Sequence, residues 1–271
     1  AADGSTATPS LANSFATELY TGNAGTQSVT TGFKPDFTWI KDRVGTDNHH
    51  LFDSIRGVEM RIISNLADAQ NLQANSLTSF NTLGFSLGSN SGVNGSGENH
   101  VSWNWKAGGT PSINTDGTTT SLVSANQAAG FSVVSYIGTG SIATVGHGLN
   151  SPPELILIKV TSLGGYSWAC YSETTGINKL LQLNVADATV TYNNYWGAVS
   201  PTNNVFGVVN GSYNNNATGQ SIIGYCFTSI SGYSKVGSYV GGGATNVTVN
   251  VGFAPSFIMI KSTSAGRNWL I

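Results

Sequence analysis

The sequence predicts an all-β protein made of tandem antiparallel β-sandwich units, jelly-roll-like in form. Three observations carry that prediction. One pattern recurs three times, at Tyr20–Lys41, Tyr136–Lys159 and Tyr239–Lys261. Each copy has Tyr-x-Gly, a Gly-rich turn, a β-branched stretch, a Gly, a Pro and a closing run that ends in Ile-Lys. The Tyr-to-Lys separations are 21, 23 and 22 residues. Second, Asn94–Trp105 aligns without a gap on Asn216–Phe227, and both segments end in aromatics two apart, Trp103/Trp105 and Tyr225/Phe227. A period of two puts both rings on one face of a strand. Third, Gly, Ser, Thr and Asn make up about 45% of the 271 residues, and charged residues only 9%. Ordinary soluble domains carry about 25% charge.

The same composition excludes several classes. Aromatics at 10% argue against a disordered chain. Scarce Glu, Lys and Arg argue against long helices. No run of about 18 apolar residues is present, so no membrane insertion is expected. Eleven Lys and Arg against thirteen acids form no basic block, so no nucleic acid is expected as partner.

Along the chain, AADGSTATPS has neither a basic nor an apolar region, so no signal peptide is visible. Residues 1–18 read as an N-terminal extension and 19–109 as β repeat unit 1. The runs Phe37–Lys41 and Leu155–Lys159 read as buried strands, each preceded by Pro35 or Pro153, where a missing N–H costs no ladder bond. Residues 62–75 carry no Gly or Pro and form a helix candidate, weakened by many poor helix formers. Residues 110–130, rich in Thr, Ser and Gly, read as a linker. Residues 131–235 are unit 2, and 236–271 a partial third repeat, matching about the first third of a unit. Strands there would leave apolar runs and edge N–H groups exposed, so this segment is expected to pair with another chain. The expected partners are copies of the chain itself, joined head to tail through residues 237–271 and the N-terminal extension. Cys170 and Cys226 lack zinc spacing; two readings stand, a pair of buried thiols or one cross-sheet disulfide.

The strings TGFKPDFTWIKDR, LFDSIRG, HVSWNWKAGG, VGHGLNSPPELILIK and GYSKVGSYVGGG resemble a tandem β-rich domain of unknown function. That domain occurs in tail-fibre and other virion-associated proteins of marine and freshwater bacteriophages. The resemblance spans nearly all of residues 19–271. It implies a structural or adhesive role, a virion or extracellular location, and no catalytic residues.

The densest polar cluster is Lys41, Asp42, Arg43, Asp47, His49, His50, Asp53 and Arg56. His49, His50 and Asp53 have the chemistry of a metal site or an acid–base pair. The matching stretch WACYSETTG keeps no His, Asp or Arg, which favours a structural role, with Asp53 and Arg56 in a local salt bridge. His100 and His147 read as loop or satisfied histidines. No G-x-S-x-G elbow or phosphate loop is present, and the acids are scattered. No catalytic residue, metal or cofactor is therefore expected. Tyr192, Tyr195 and Trp196 form a candidate glycan-stacking platform, with a cell-surface glycan as the corresponding partner. Asn94, Asn210, Asn216 and Asn246 head N-glycosylation sequons, although Asn94 and Asn216 share a repeat position that fits a turn. The expected function is a non-enzymatic fibre subunit that self-assembles. The alternatives are a carbohydrate-binding module and a subunit of a cellular filament.

Overall fold

A computed structural model describes residues 11–209 and 214–271. Unit 1 holds β1 (Phe15–Thr21), β2 (Gln27–Thr30), β3 (Phe37–Asp42), β4 (His50–Asp53), β5 (Met60–Ile63), β6 (Asn71–Leu72), β7 (Leu77–Asn81), β8 (Gly84–Leu87) and β9 (Asn99–Trp105). Then come β10 (Ser112–Asn114) and β11 (Ser121–Asn126). Unit 2 holds β12 (Phe131–Ile137), β13 (Ala143–Gly146), β14 (Leu155–Val160), β15 (Ala169–Ser172), β16 (Lys179–Leu180), β17 (Val190–Thr191), β18 (Val205–Val208) and β19 (Ser221–Phe227). The single α-helix among the described residues, α1, is one turn long (Ser91–Asn94) and is capped by the Asn90 side chain.

Two six-stranded antiparallel sheets dominate. Their orders are β1-β9-β3-β4-β5-β6 and β10-β11-β12-β19-β14-β15. The four strands β1-β9-β3-β4 and β12-β19-β14-β15 correspond one to one. Register agrees as well: Trp39 faces Trp103, and Leu157 faces Tyr225. In both units a small sheet covers the outer face, β2-β8-β7 in the first and β13-β18 in the second.

Three cores result. Val29, Ile40, Phe52, Phe85 and Leu87 fill the outer core of unit 1. Val145, Ile156, Ile158, Tyr195, Trp196 and Phe206 fill that of unit 2. Between the units the two large sheets turn their remaining faces on each other, burying Phe37, Trp39, Trp105, Phe131, Leu157, Trp168 and Tyr225 together. Strands β3 and β14 are thus covered on both faces, which is why Phe-Thr-Trp-Ile and Leu-Ile-Leu-Ile do not alternate with charged residues.

Several expectations are corrected. Residues 110–130 are not a free linker. Strands β10 and β11 form a hairpin that extends sheet two, with Asn126 opposite Phe131 across the turn into β12. Of the expected N-terminal extension, residues 15–18 already pair with β9. Residues 62–75 hold the end of β5, a turn and β6 rather than a helix. There Ile62 is fully buried in the inter-unit core, and β-branched residues at that position suit a strand. Both cysteines are free and buried. Cys170 lies in the inter-unit core and Cys226 in the outer core, on opposite faces of one sheet, so they cannot bridge.

The sequence predicts that the C-terminal segment packs on another chain. Its inner face instead packs on its own chain, through Phe257, Met259 and Trp269. Its outer face stays exposed, with Val247 at 44% and Ile258 at 54%.

Candidate functional site: the seams between repeats

The repeated Asn is the pin of each unit. Asn94, at the end of α1, accepts from the Asn23 N–H (2.9 Å) and donates to the carbonyls of Gly25 (2.8 Å) and Gly88 (2.8 Å). Asn216 accepts from the Thr139 N–H (2.8 Å) and donates to Ser141 (2.6 Å) and Val209 (2.9 Å). Both are fully buried. The Tyr of Tyr-x-Gly completes the motif: Tyr20 donates to the Val93 carbonyl and Tyr136 to that of Asn215. The Gly is required by close approach, since a Cβ on Gly22 or Gly138 would collide with the carbonyl after the pin, Gly95 or Ala217. Asn94 and Asn216 are therefore not glycosylation acceptors in the folded chain. Asn246 is exposed, and Asn210 lies outside the described residues.

The polar cluster of unit 1 does not converge on one point. Along β4 the side chains alternate, so Leu51 and Asp53 face the inter-unit core while His50 and Phe52 face the outer one. Asp53 is fully buried. It accepts from the Arg56 guanidinium (2.5 Å), from two backbone N–H groups and from the Tyr225 hydroxyl of unit 2 (2.7 Å). The expected local salt bridge is thus also a tie between units. Burial beside the Asp53 charge raises Tyr225 well above the usual phenol range, which keeps it a donor.

Each histidine has its own setting. His49 Nδ1 accepts from the Trp39 indole (2.9 Å), and burial lowers its pKa to about 4. Burial lowers His50 to about 3. His147 is satisfied: Nδ1 accepts from the Leu149 N–H, which leaves Nε2 to donate to Thr202. His100 is buried and stacked on Tyr20, with Nε2 3.8 Å from Glu98. The carboxylates that do converge are those of Asp42, Asp47 and Glu98, within 4.8 Å of one another. Asp42 is committed to the N–H groups of Val44 and Gly45.

The glycan platform is also corrected. Tyr195 and Trp196 are 1% exposed, packed in the outer core of unit 2, with the Trp196 indole donating to the Lys179 carbonyl. Only Tyr192 of the three is exposed. An open concavity of about 450 Å³ is lined by Lys34, Asp36, Lys106 and Gln127. Its carboxylate, Asp36, is already bonded to Ser54 and the Ala107 N–H.

The strongest repeated constellation joins successive repeats. Lys159 of the second repeat donates to the Ala67 carbonyl of the first (3.2 Å), and the Trp168 indole to Ile63 (2.9 Å). One repeat on, Lys261 donates to Ala186 (2.9 Å), and the Trp269 indole to Gln182 (2.9 Å). Backbone bonds follow suit, from the Gln70 N–H to Thr161 and from the Thr189 N–H to Thr263. The accepting turns carry one text, Asn65-Leu-Ala-Asp-Ala69 and Asn184-Val-Ala-Asp-Ala188. Burial lowers Lys159 to about 8, and Asp68 of the turn pulls the other way, favouring the charge. That repeated turn was the missed sequence signal: it lies outside the aligned motif, yet recurs at a fixed place after it.

These seams define a class: a tandem-repeat all-β protein whose repeats interlock through a shared core and a Lys/Trp-to-turn contact. The chain belongs to the family described as domain of unknown function DUF7483, whose model matches residues 10–271. No curated protein and no solved structure matches it.

Proposed function

We propose that this chain is a non-enzymatic structural module of an extracellular or virion-associated fibre, of the phage-tail-fibre kind. The observation that supports it best is where the chemistry-bearing side chains go. Asp53, Arg56, Tyr225, Lys159, Trp168, Lys261 and Trp269 all serve contacts within or between repeats. A charge content of 9% limits repulsion between copies, which suits assembly. Copies of the chain associate head to tail in this reading, through the exposed outer face of residues 237–271 and the N-terminal extension.

Negative-stain microscopy of the purified chain tests it. Filaments that vanish on deletion of residues 237–271 are the expected result. A monodisperse monomer that binds a glycan array or turns over polysaccharide, peptide or phosphate ester overturns it.

A further inference from the structure

The first repeat carries counterparts of the seam groups of the second and third. Lys41 corresponds to Lys159 and Lys261, His49 to Trp168 and Trp269, and the Arg43 carbonyl to those of Thr161 and Thr263. In the later repeats the lysine binds carbonyls of its own loop and, in addition, the turn of the preceding repeat. Among the described residues Lys41 binds only own-loop carbonyls, those of Asp42 and Gly45. His49 keeps the donor as well. Its Nδ1 accepts from Trp39, so the proton sits on Nε2 and is left to donate. Beside them Val44 is 77% exposed.

The arrangement of the three repeats says which side this seat faces. Phe37 of the first repeat stands 6.1 Å from Phe131 of the second. Phe257 of the third stands 6.1 Å from Phe15 of the first, and Phe15 is the register equivalent of Phe131. Thr17 also donates to the Ser256 carbonyl. The third repeat therefore flanks the first as the first flanks the second, and three positions close a ring around the aromatic core.

From this we infer that Lys41, the Arg43 carbonyl and His49 form a binding seat for an Asn-x-Ala-Asp-Ala turn supplied by a further repeat of this type. Residues 236–271 carry no such turn. A second copy of these residues has none to offer, because its two turns are held by its own Lys159 and Lys261. Charge fits too: an aspartate of each occupied turn, Asp68 or Asp187, acts on the lysine that enters it. The inference concerns how repeats close on one another and does not depend on the fibre reading.

The test adds a synthetic peptide of residues 176–192, which spans the second turn, to the full chain. Binding is read by anisotropy of the labelled peptide. Contact is read by carbodiimide coupling of Lys41 to the peptide's aspartate, located by mass spectrometry. Saturable binding with coupling at Lys41 is expected. Lys41→Met should weaken it at least about tenfold, and the peptide variant Asp187→Asn should also weaken it. His49→Phe, which keeps the ring but loses the donor, should weaken it less. Unchanged circular dichroism and melting of the variants separate lost binding from lost folding. Neither binding nor coupling at about 1 mM peptide overturns the inference. So does equal binding to Lys41→Met, or self-association of the chain that Lys41→Met abolishes, since a second copy would then be the occupant.

Discussion

Replacing the pin asparagine by alanine separates a structural turn from every other role for that residue. In Asn94→Ala the Asn23 N–H loses an acceptor at 2.9 Å, and the carbonyls of Gly25 and Gly88 each lose a donor at 2.8 Å. The Asn23 side-chain oxygen is spared, because it still accepts from the Gly25 N–H. Asn94 is fully buried, while its partners lie in exposed or half-buried residues, so water relieves only part of the loss. A buried polar group left unpaired costs about 1–3 kcal/mol. Three such groups, partly relieved by a water entering the space, give an expected loss of about 3–5 kcal/mol, at the upper end for one substitution. Asn216→Ala strips the equivalent trio, the Thr139 N–H and the carbonyls of Ser141 and Val209, and should cost a similar amount. Urea unfolding followed by tryptophan fluorescence reads both variants, with the midpoint falling and the slope unchanged. A loss below about 1 kcal/mol at either position, or costs differing by more than about 2 kcal/mol, refutes the equivalence of the two pins.

Three further outcomes are expected. Tyr225→Phe removes a hydrogen bond to a buried carboxylate across the unit boundary and should cost about 1.5–3 kcal/mol; a double-mutant cycle with Asp53→Asn should show coupling, and additive costs would refute a tie between units. Trp196→Ala should destabilise by about 3–5 kcal/mol in thermal unfolding, as a core ring does, and a variant of normal stability would place the ring on the surface. Acid should destabilise the chain. Burial holds His49 near 4 and His50 near 3, below their usual 6.5, so the unfolded chain takes up protons first as pH falls. Their stability contribution is intact above pH 6.5 and is lost below it, about 2–3 kcal/mol per histidine by pH 4.5 at about 1.4 kcal/mol per unit. A urea midpoint flat from pH 7 to 4.5 in the wild type, or an unchanged slope with pH in His50→Phe, would count against this assignment.

Much of the fold was legible because its signals are local. Pro35 and Pro153 mark where the central strands begin, and two-residue aromatic spacing fixes which side chains share a face. Together they made Trp39 and Trp103 the equivalents of Leu157 and Tyr225, and the structure pairs each set across neighbouring strands. Local text misled where pairing decides. Ser112–Asn126 looks like a Thr/Ser linker, but the free edge of β12 supplies ladder bonds that weak propensity alone does not predict. Ile62–Asn75 lacks helix breakers, yet Ile62 is wanted in the inter-unit core. Tyr192, Tyr195 and Trp196 read as a loop platform, because nothing near them in sequence reveals the outer core that buries the last two.

The sequence by itself determined the repeat and its central strands, since each rests on residues within a few positions of one another. Only the tertiary structure decided what the charged and aromatic residues are for. Asp53 and Tyr225 lie 172 residues apart, Lys159 and Ala67 92 apart, and Trp269 and Gln182 87 apart. Contacts of that span follow from how the sheets stack, and a buried charge keeps its place only when partners converge on it from both sheets.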